Sequence, residues 1–151
     1  MRAIELPSPL VEAMGRHARA SYPEECCGFL IGALDPPEPT GRRRLLEVEP
    51  AANEFDGERS RRFMIRPRDL LEAERRREGT DRMVAGFYHS HPDHPARPSA
   101  FDQEHALPWY TYIVLSVTAQ EVPTLGAFEL DEATRIFHEV PVVPPAALDR
   151  G

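Results

Sequence analysis

The stretch Met83-Val84-Ala85-Gly86-Phe87-Tyr88-His89-Ser90-His91-Pro92, continued through Arg97-Pro98-Ser99-Ala100-Phe101-Asp102, decides how the rest of the chain is read. Met83 to Tyr88 is apolar enough for a buried strand, and two histidines sit one residue apart at its end. Successive side chains of a strand point to opposite faces, so His89 and His91 project on one side and Ser90 on the other. Asp102 follows His91 by eleven residues, across a loop stiffened by Pro92, Pro95 and Pro98. Ser99 is placed to cap a helix running to about His105, with Asp102 in its first turn. A strand end, a stiff return and a helix start can bring two ring nitrogens and one carboxylate oxygen together. Three such ligands with a fourth position open to water is the zinc arrangement of catalytic sites, whereas structural sites close all four.

A hydrolytic centre of this kind also needs a carboxylate to take a proton from the attacking water and pass it to the leaving amine. The candidate lies upstream, in Tyr22-Pro23-Glu24-Glu25-Cys26-Cys27-Gly28-Phe29-Leu30-Ile31-Gly32, where an acidic pair runs into a second apolar strand. Periodicity does not choose between Glu24 and Glu25, and spacing does not tell whether this strand lies beside the histidine strand.

Taken together, His-Ser-His-Pro, then Ser99 and Asp102 at His-x7-Ser-x2-Asp spacing, with an upstream Glu-x-Cys-Gly, resemble the motif of the JAMM (MPN+) zinc metalloproteases. The resemblance runs from about Tyr22 to Asp102 and is most similar to the short bacterial branch, whose members cut peptides or amino acids from the carboxyl tails of ubiquitin-like sulfur-carrier proteins. It implies an MPN/JAB1-like fold, a mixed and largely antiparallel sheet flanked by helices in a cytidine-deaminase-like sandwich. It also implies zinc (Zn2+) as cofactor, held by His89, His91 and Asp102, with Glu25 as general acid/base and Ser99 steadying the oxyanion. The implied activity is a zinc-dependent peptidase or isopeptidase, and the implied partner a sulfur-carrier-type protein with a Gly-rich tail that adds as a strand beside the site. The alternative is a non-catalytic module that docks such a partner. A zinc deaminase pairs His-x-Glu with Cys-x-x-Cys, and this sequence has neither.

Composition bounds the rest. A chain of 151 residues with 41% hydrophobic and 28% charged residues suits one domain, expected over residues 1–143 with a frayed tail over 144–151. No apolar run approaches the roughly 20 residues needed to span a bilayer, and the opening lacks a signal-peptide pattern, so a cytoplasmic location is expected. The net charge of −7 argues against a nucleic-acid surface. All 18 basic residues are arginine, which removes Schiff-base and P-loop lysine chemistry.

Further elements follow from pattern. Helices are expected over Ser8–Ala20, capped by Ser8, and over Pro67–Arg77. Strands are expected near Cys26–Leu34, Leu45–Val48, Arg62–Ile65, Tyr110–Val117, Thr124–Leu130 and Arg135–Val142, with a proline-rich loop over 35–41. From this interleaving alone the fold class is a mixed-sheet α/β or α+β sandwich. Ala51–Ser60 reads as irregular, with Asn53 and Phe55 as candidate substrate-facing residues. Cys26 and Cys27 are adjacent and cannot both face the histidines; one reads as a small buried hydrophobe, with a catalytic nucleophile or zinc ligand as the sharper alternative. His94 reads as exposed, and His105 as a neighbour of the site or a surface residue. The arginine runs read as solvated faces or as a greeting for an acidic partner.

Overall fold

The computed structural model describes residues 3–34, 41–120 and 123–145. Its elements in chain order are β1 (Ile4–Glu5), α1 (Ser8–Ser21), β2 (Cys27–Ala33), β3 (Arg43–Ala51), α2 (Pro67–Arg76), β4 (Arg82–Pro92), α3 (Ala100–His105), β5 (Thr111–Val117), β6 (Thr124–Leu130), β7 (Phe137–Val140) and β8 (Val142–Val143). One mixed sheet has the order β7-β6-β5-β4-β2-β3-β1-β8. Four of its pairings are antiparallel, and three, β4 with β5, β1 with β3 and β1 with β8, are parallel. The mixed, helix-flanked sheet expected from the sequence is the one observed.

The order hides a closure. β7 and β8 stand at opposite ends of the sheet, yet only Pro141 separates them in the chain. The run Phe137–Val143 pairs with β6 in its first half and with β1 in its second, where the Ile4 and Leu6 N–H groups donate to the Pro141 and Val143 carbonyls at 2.8 and 2.9 Å. The sheet is therefore curled onto itself, and the proline, which has no N–H to donate, sits where the partner changes.

The sheet buries a core on each face. On one, Met14 and Ala18 of α1 pack with Ile4, Leu30, Leu45, Tyr88, Ile113, Leu115 and Val140. On the other, Ala73 of α2 packs with Phe29, Ile31, Val84, Phe87 and Tyr112. Arg77, just past the end of α2, binds the carboxylates of Glu47 and Glu49 at 3.1 and 2.7 Å and so ties that helix to β3. Gly86 in β4 is where the central strands come closest, since a Cβ there would meet the Thr111 carbonyl oxygen of β5 at 1.8 Å.

Several expectations are corrected. Arg62–Ile65 lies outside the sheet, because the Asn53 side chain takes up the Arg62 carbonyl and the Met64 N–H that a ladder would use. The histidine strand runs on to Pro92, so His89 and His91 lie within it and not beyond it. The last strand starts at Phe137 and is broken by Pro141. Pro7, not Ser8, occupies the cap position of α1, with no side-chain cap bond. The pairing of Ile4–Glu5 was not expected, as two residues carry no periodicity. Of the loop expected over 35–41, residues 35–40 lie outside the described residues, as do 146–151 of the expected tail. Among the described residues, no helix is long and apolar enough to cross a membrane.

Replacing Gly86 by Ala is expected to cost at least about 3 kcal/mol, because backbone cannot yield as a flexible side chain does. Gly15→Ala, in α1 with its nearest outside atom 3.8 Å from the new Cβ, should gain about 0.5–1 kcal/mol. Urea denaturation of the two variants beside the parent checks both signs.

Candidate metal centre and the cavities beside it

β4 alternates Phe87, His89 and His91 onto the face that carries α2 and α3, while Ser90 turns to the other face. There Ser90 and Cys26 exchange two bonds, from the Cys26 N–H to the Ser90 Oγ at 2.8 Å and from the Ser90 N–H to the Cys26 carbonyl at 3.1 Å. β2 lies beside β4 with Cys27 opposite His89. That register sets Glu25, two residues earlier, beside the rings. Glu24 is exposed and Glu25 is 4% exposed, so the structure separates the acidic pair that periodicity could not.

Ser99 caps α3 as expected. Its Oγ accepts from the Asp102 N–H at 3.0 Å, and its own N–H donates to Asp102 Oδ2 at 2.9 Å. The same Oδ2 lies 3.0 Å from His89 Nε2 and 3.0 Å from His91 Nε2, and the two Nε2 atoms are 3.2 Å apart. The Glu25 carboxylate completes a cluster in which one ligand atom each from Glu25, His89 and His91 lies within 4.8 Å of the others.

This donor set fits a cation. The Pro95 carbonyl is an acceptor, so His91 Nδ1, 3.1 Å away, must carry its proton. In the neutral ring Nε2 is then a bare lone pair. A lone pair facing a carboxylate oxygen at 3.0 Å is repulsive unless positive charge lies between them. Buried Glu25 Oε1 has no hydrogen-bond partner either. Two imidazole nitrogens with carboxylate oxygens is a donor set that suits zinc among other transition metals.

Burial above all, opposed by His91 and helped by Asp102, pushes the Glu25 carboxyl up to about 8. Burial would raise Asp102 too, but the charges and hydrogen bonds of His89 and His91 and the Ser99 N–H outweigh it and hold that carboxyl well below its usual range. Burial lowers His89. For His91, burial pulls down, and the hydrogen bond and charge of Asp102 win, raising it. The thiols of Cys26 and Cys27 are pushed up to about 11 and about 12 by burial and stay protonated, as expected of small buried hydrophobes.

Two cavities open from this cluster. One, about 420 Å³, exposes Glu25, His91 and Ser99 beneath Arg61, Arg62 and Arg97. The other, about 300 Å³, exposes His89 and Asp102 among Phe63, Ile65, Leu70, Phe87 and Tyr112. Phe101 lines both, held under Arg62 at 4.3 Å and against His105 at 4.1 Å. Phe63 stacks on the His89 ring at 4.3 Å, a contact that no local spacing announces. Asn53, expected to face substrate, instead spends its amide on the Glu25 and Arg62 carbonyls and on the Phe55 and Met64 N–H groups, clasping the 53–64 loop to the site. Phe55 packs edge-on to Phe101. His94 is exposed at the rim, and His105 bonds the Phe101 carbonyl.

Residues 7–131 match the family model described as prokaryotic homologs of the JAB domain. The desampylase of Haloferax volcanii is 32% identical over 100 residues, covering 66% of this chain and 67% of that protein. Tail tip assembly protein K of Escherichia phage N15 is also 32% identical over 66% of this chain, which spans only 37% of its length. Among solved structures, a Desulfitobacterium hafniense protein superposes with TM-score 0.78 at 30% identity over 97% of this chain and 95% of its own. A Salinibacter ruber protein gives 0.68 at 34% over 98% and 94%. A JAB1/MPN domain protein of Archaeoglobus fulgidus gives 0.50 at 16% over 93% and 98%, a likeness of fold.

The Glu25 carboxyl makes a signed prediction for the metal-free protein. Its folded value is raised from about 4.5 to about 8, so the fold favours the protonated form. The cost of ionising it begins above pH ~4.5 and is complete above pH ~8. Glu25→Gln should match the parent near pH 4 and exceed it above pH 8 by up to about 5 kcal/mol. Chemical denaturation of the metal-stripped proteins across this range measures the gap.

Proposed function

As this chain belongs to the prokaryotic JAB family, we propose that it is a zinc-dependent peptidase or isopeptidase that hydrolyses an amide bond at the carboxyl tail of a ubiquitin-like, sulfur-carrier-type protein. The observation that carries this reading is the convergence of His89 Nε2, His91 Nε2 and Asp102 Oδ2 beside the unpartnered Glu25 Oε1, at the junction of two cavities. Kinship with a desampylase supports a hydrolase that acts on ubiquitin-like tails. A docking module without chemistry has no use for a buried carboxylate oxygen that bonds to nothing.

In this reading His89, His91 and Asp102 hold the zinc. Bound there, it would supply the Lewis acid, polarising the scissile carbonyl, acidifying water and offsetting the burial that keeps Glu25 protonated. Glu25 takes the proton of the attacking water on its carboxylate and returns it to the leaving amine. The Ser99 Oγ already accepts from the Asp102 N–H, and its own hydrogen is available to a developing oxyanion. Asn53 holds the Glu25 backbone carbonyl and so positions the base.

The substrate tail is expected to lie extended. β2 and β4 each have a neighbour on both sides, so neither offers an edge at the site. The run 62–65 does, because the backbone groups of Phe63 and Ile65 make no hydrogen bond among the described residues. A tail along that run would carry its apolar side chains over the Phe63, Ile65 and Leu70 cavity.

Two outcomes follow. Calorimetry of the metal-stripped protein should find one tight zinc site, weakened in Asp102→Ala by more than the roughly 10–100-fold that loss of a supporting partner costs. Glu25→Gln should keep the zinc and lose about 10²–10⁴ in kcat on carrier proteins extended at their carboxyl termini. Undiminished hydrolysis by Glu25→Gln sinks the mechanism, and an intact protein that binds no zinc sinks the reading.

A further inference from the structure

The cavity on the Glu25 side is cationic in a protein that is not. Overall charge is −7, with 25 acidic residues against 18 arginines, and several arginines elsewhere find acids. Arg66 pairs with Glu54 and Asp69, Arg77 with Glu47 and Glu49, and Arg82 with Glu47. The arginines that line this cavity do not, among the described residues. Arg61 and Arg97 line it, and their guanidinium groups have no ion-pair or hydrogen-bond partner among the described residues. Arg62, also in the wall, lies over the Phe101 ring. The only carboxylate in the lining is Glu25 itself, sunk to 4% exposure. Nothing in the wall neutralises the rim.

The two cavities differ in what they can receive. Glu25 delivers a proton to the amine that departs, so the leaving group lies on the Glu25 side and the acyl side lies over the apolar cavity. The cationic rim therefore surrounds the leaving group. In an α-amino acid the carboxylate sits one carbon from the amine, within reach of a rim around that same cavity. A lysine side chain leaves through an amine at the end of a four-carbon stem and brings no anion with it. Arginine binds carboxylates through paired N–H groups in a planar fork, a geometry that solvated lysines do not supply.

We propose that Arg61 and Arg97 form a carboxylate-binding subsite for the leaving group and so select, among amines, those that carry an anion within reach of the rim. The inference rests on the hydrolytic reading above and names the residues of this chain that discriminate among its leaving groups. The carboxylate has two sources, the free α-carboxylate of a terminal residue or an acidic side chain.

The zinc-loaded full chain is offered carrier tails ending in Gly-Gly-Ala with a free carboxylate, in Gly-Gly-Ala amide and in Gly-Gly-Asp amide. Binding of the same three to Glu25→Gln is followed by calorimetry. The acid should exceed the alanine amide by about 10–100-fold in kcat/KM and in affinity, the range expected for one charge-assisted pair. Arg61→Gln and Arg97→Gln should bring the acid down towards the amide. Aspartyl amide behaving like the acid assigns the subsite to an acidic side chain, and behaving like the alanine amide assigns it to the α-carboxylate. Equal handling of acid and alanine amide, or a preference that survives both arginine variants, overturns the proposal, as does faster cleavage of a lysine-linked tail. If no tail is cleaved yet Glu25→Gln binds the acid more tightly than the amide, the subsite stands and the hydrolytic reading falls. No cleavage and no difference in binding removes both.

Discussion

The register between β2 and β4 is the constraint on which the centre depends. With Cys27 opposite His89, Glu25 falls beside the two rings. A slip of one residue would turn every side chain of the strand to the other face. Two contacts guard against it. Gly28 lies against the Tyr88 ring, where a Cβ would come within 2.4 Å of the ring edge, so a larger residue cannot take that place. Cys26 and Ser90 are locked by a reciprocal pair of hydrogen bonds on the face away from His89 and His91. The Cys-Gly of the motif and the serine between the histidines thus act on alignment, and the chemistry inherits its geometry from them.

Asp102 joins local helix physics to the centre. Its carboxylate closes the capping box of α3, a six-residue helix that needs such a cap, while the same oxygen faces both histidines. An N-cap serine contributes about 1 kcal/mol. Here the cap also aims the Asp102 carboxylate at the two histidines, and the proline loop sets how far the helix start can stray from β4. The His91 ring is fixed in turn by the Pro95 carbonyl of that loop, so one short connection orients two of the three candidate ligands.

The legible part of the site was the part carried by short spacings. His89, His91, Ser99 and Asp102 lie within fourteen residues on a strand, a stiff turn and a capped helix, and alternation with capping rules suffices to gather them. Glu25 came by resemblance, because strand adjacency across more than sixty residues leaves no trace in local pattern. The run Arg62–Ile65 has strand composition, yet the side chain of Asn53 competes for its backbone, and composition does not report a competitor nine residues away. Phe63 over His89 and Phe101 between the cavities are tertiary accidents of the same loop. Ile4–Glu5 is too short for any period to declare itself.

The curling of the sheet onto itself has a consequence for cooperativity. The earliest described strand and the latest hold each other through Ile4, Leu6, Pro141 and Val143, and each is anchored elsewhere to the sheet, β1 by β3 and the Phe137–Val140 segment by β6. Fraying from either side must therefore break a ring of ladders and not peel a margin. The loop over 53–65 stands outside the ladder, so it can shift without disturbing the register that holds His89 and His91 beside Glu25.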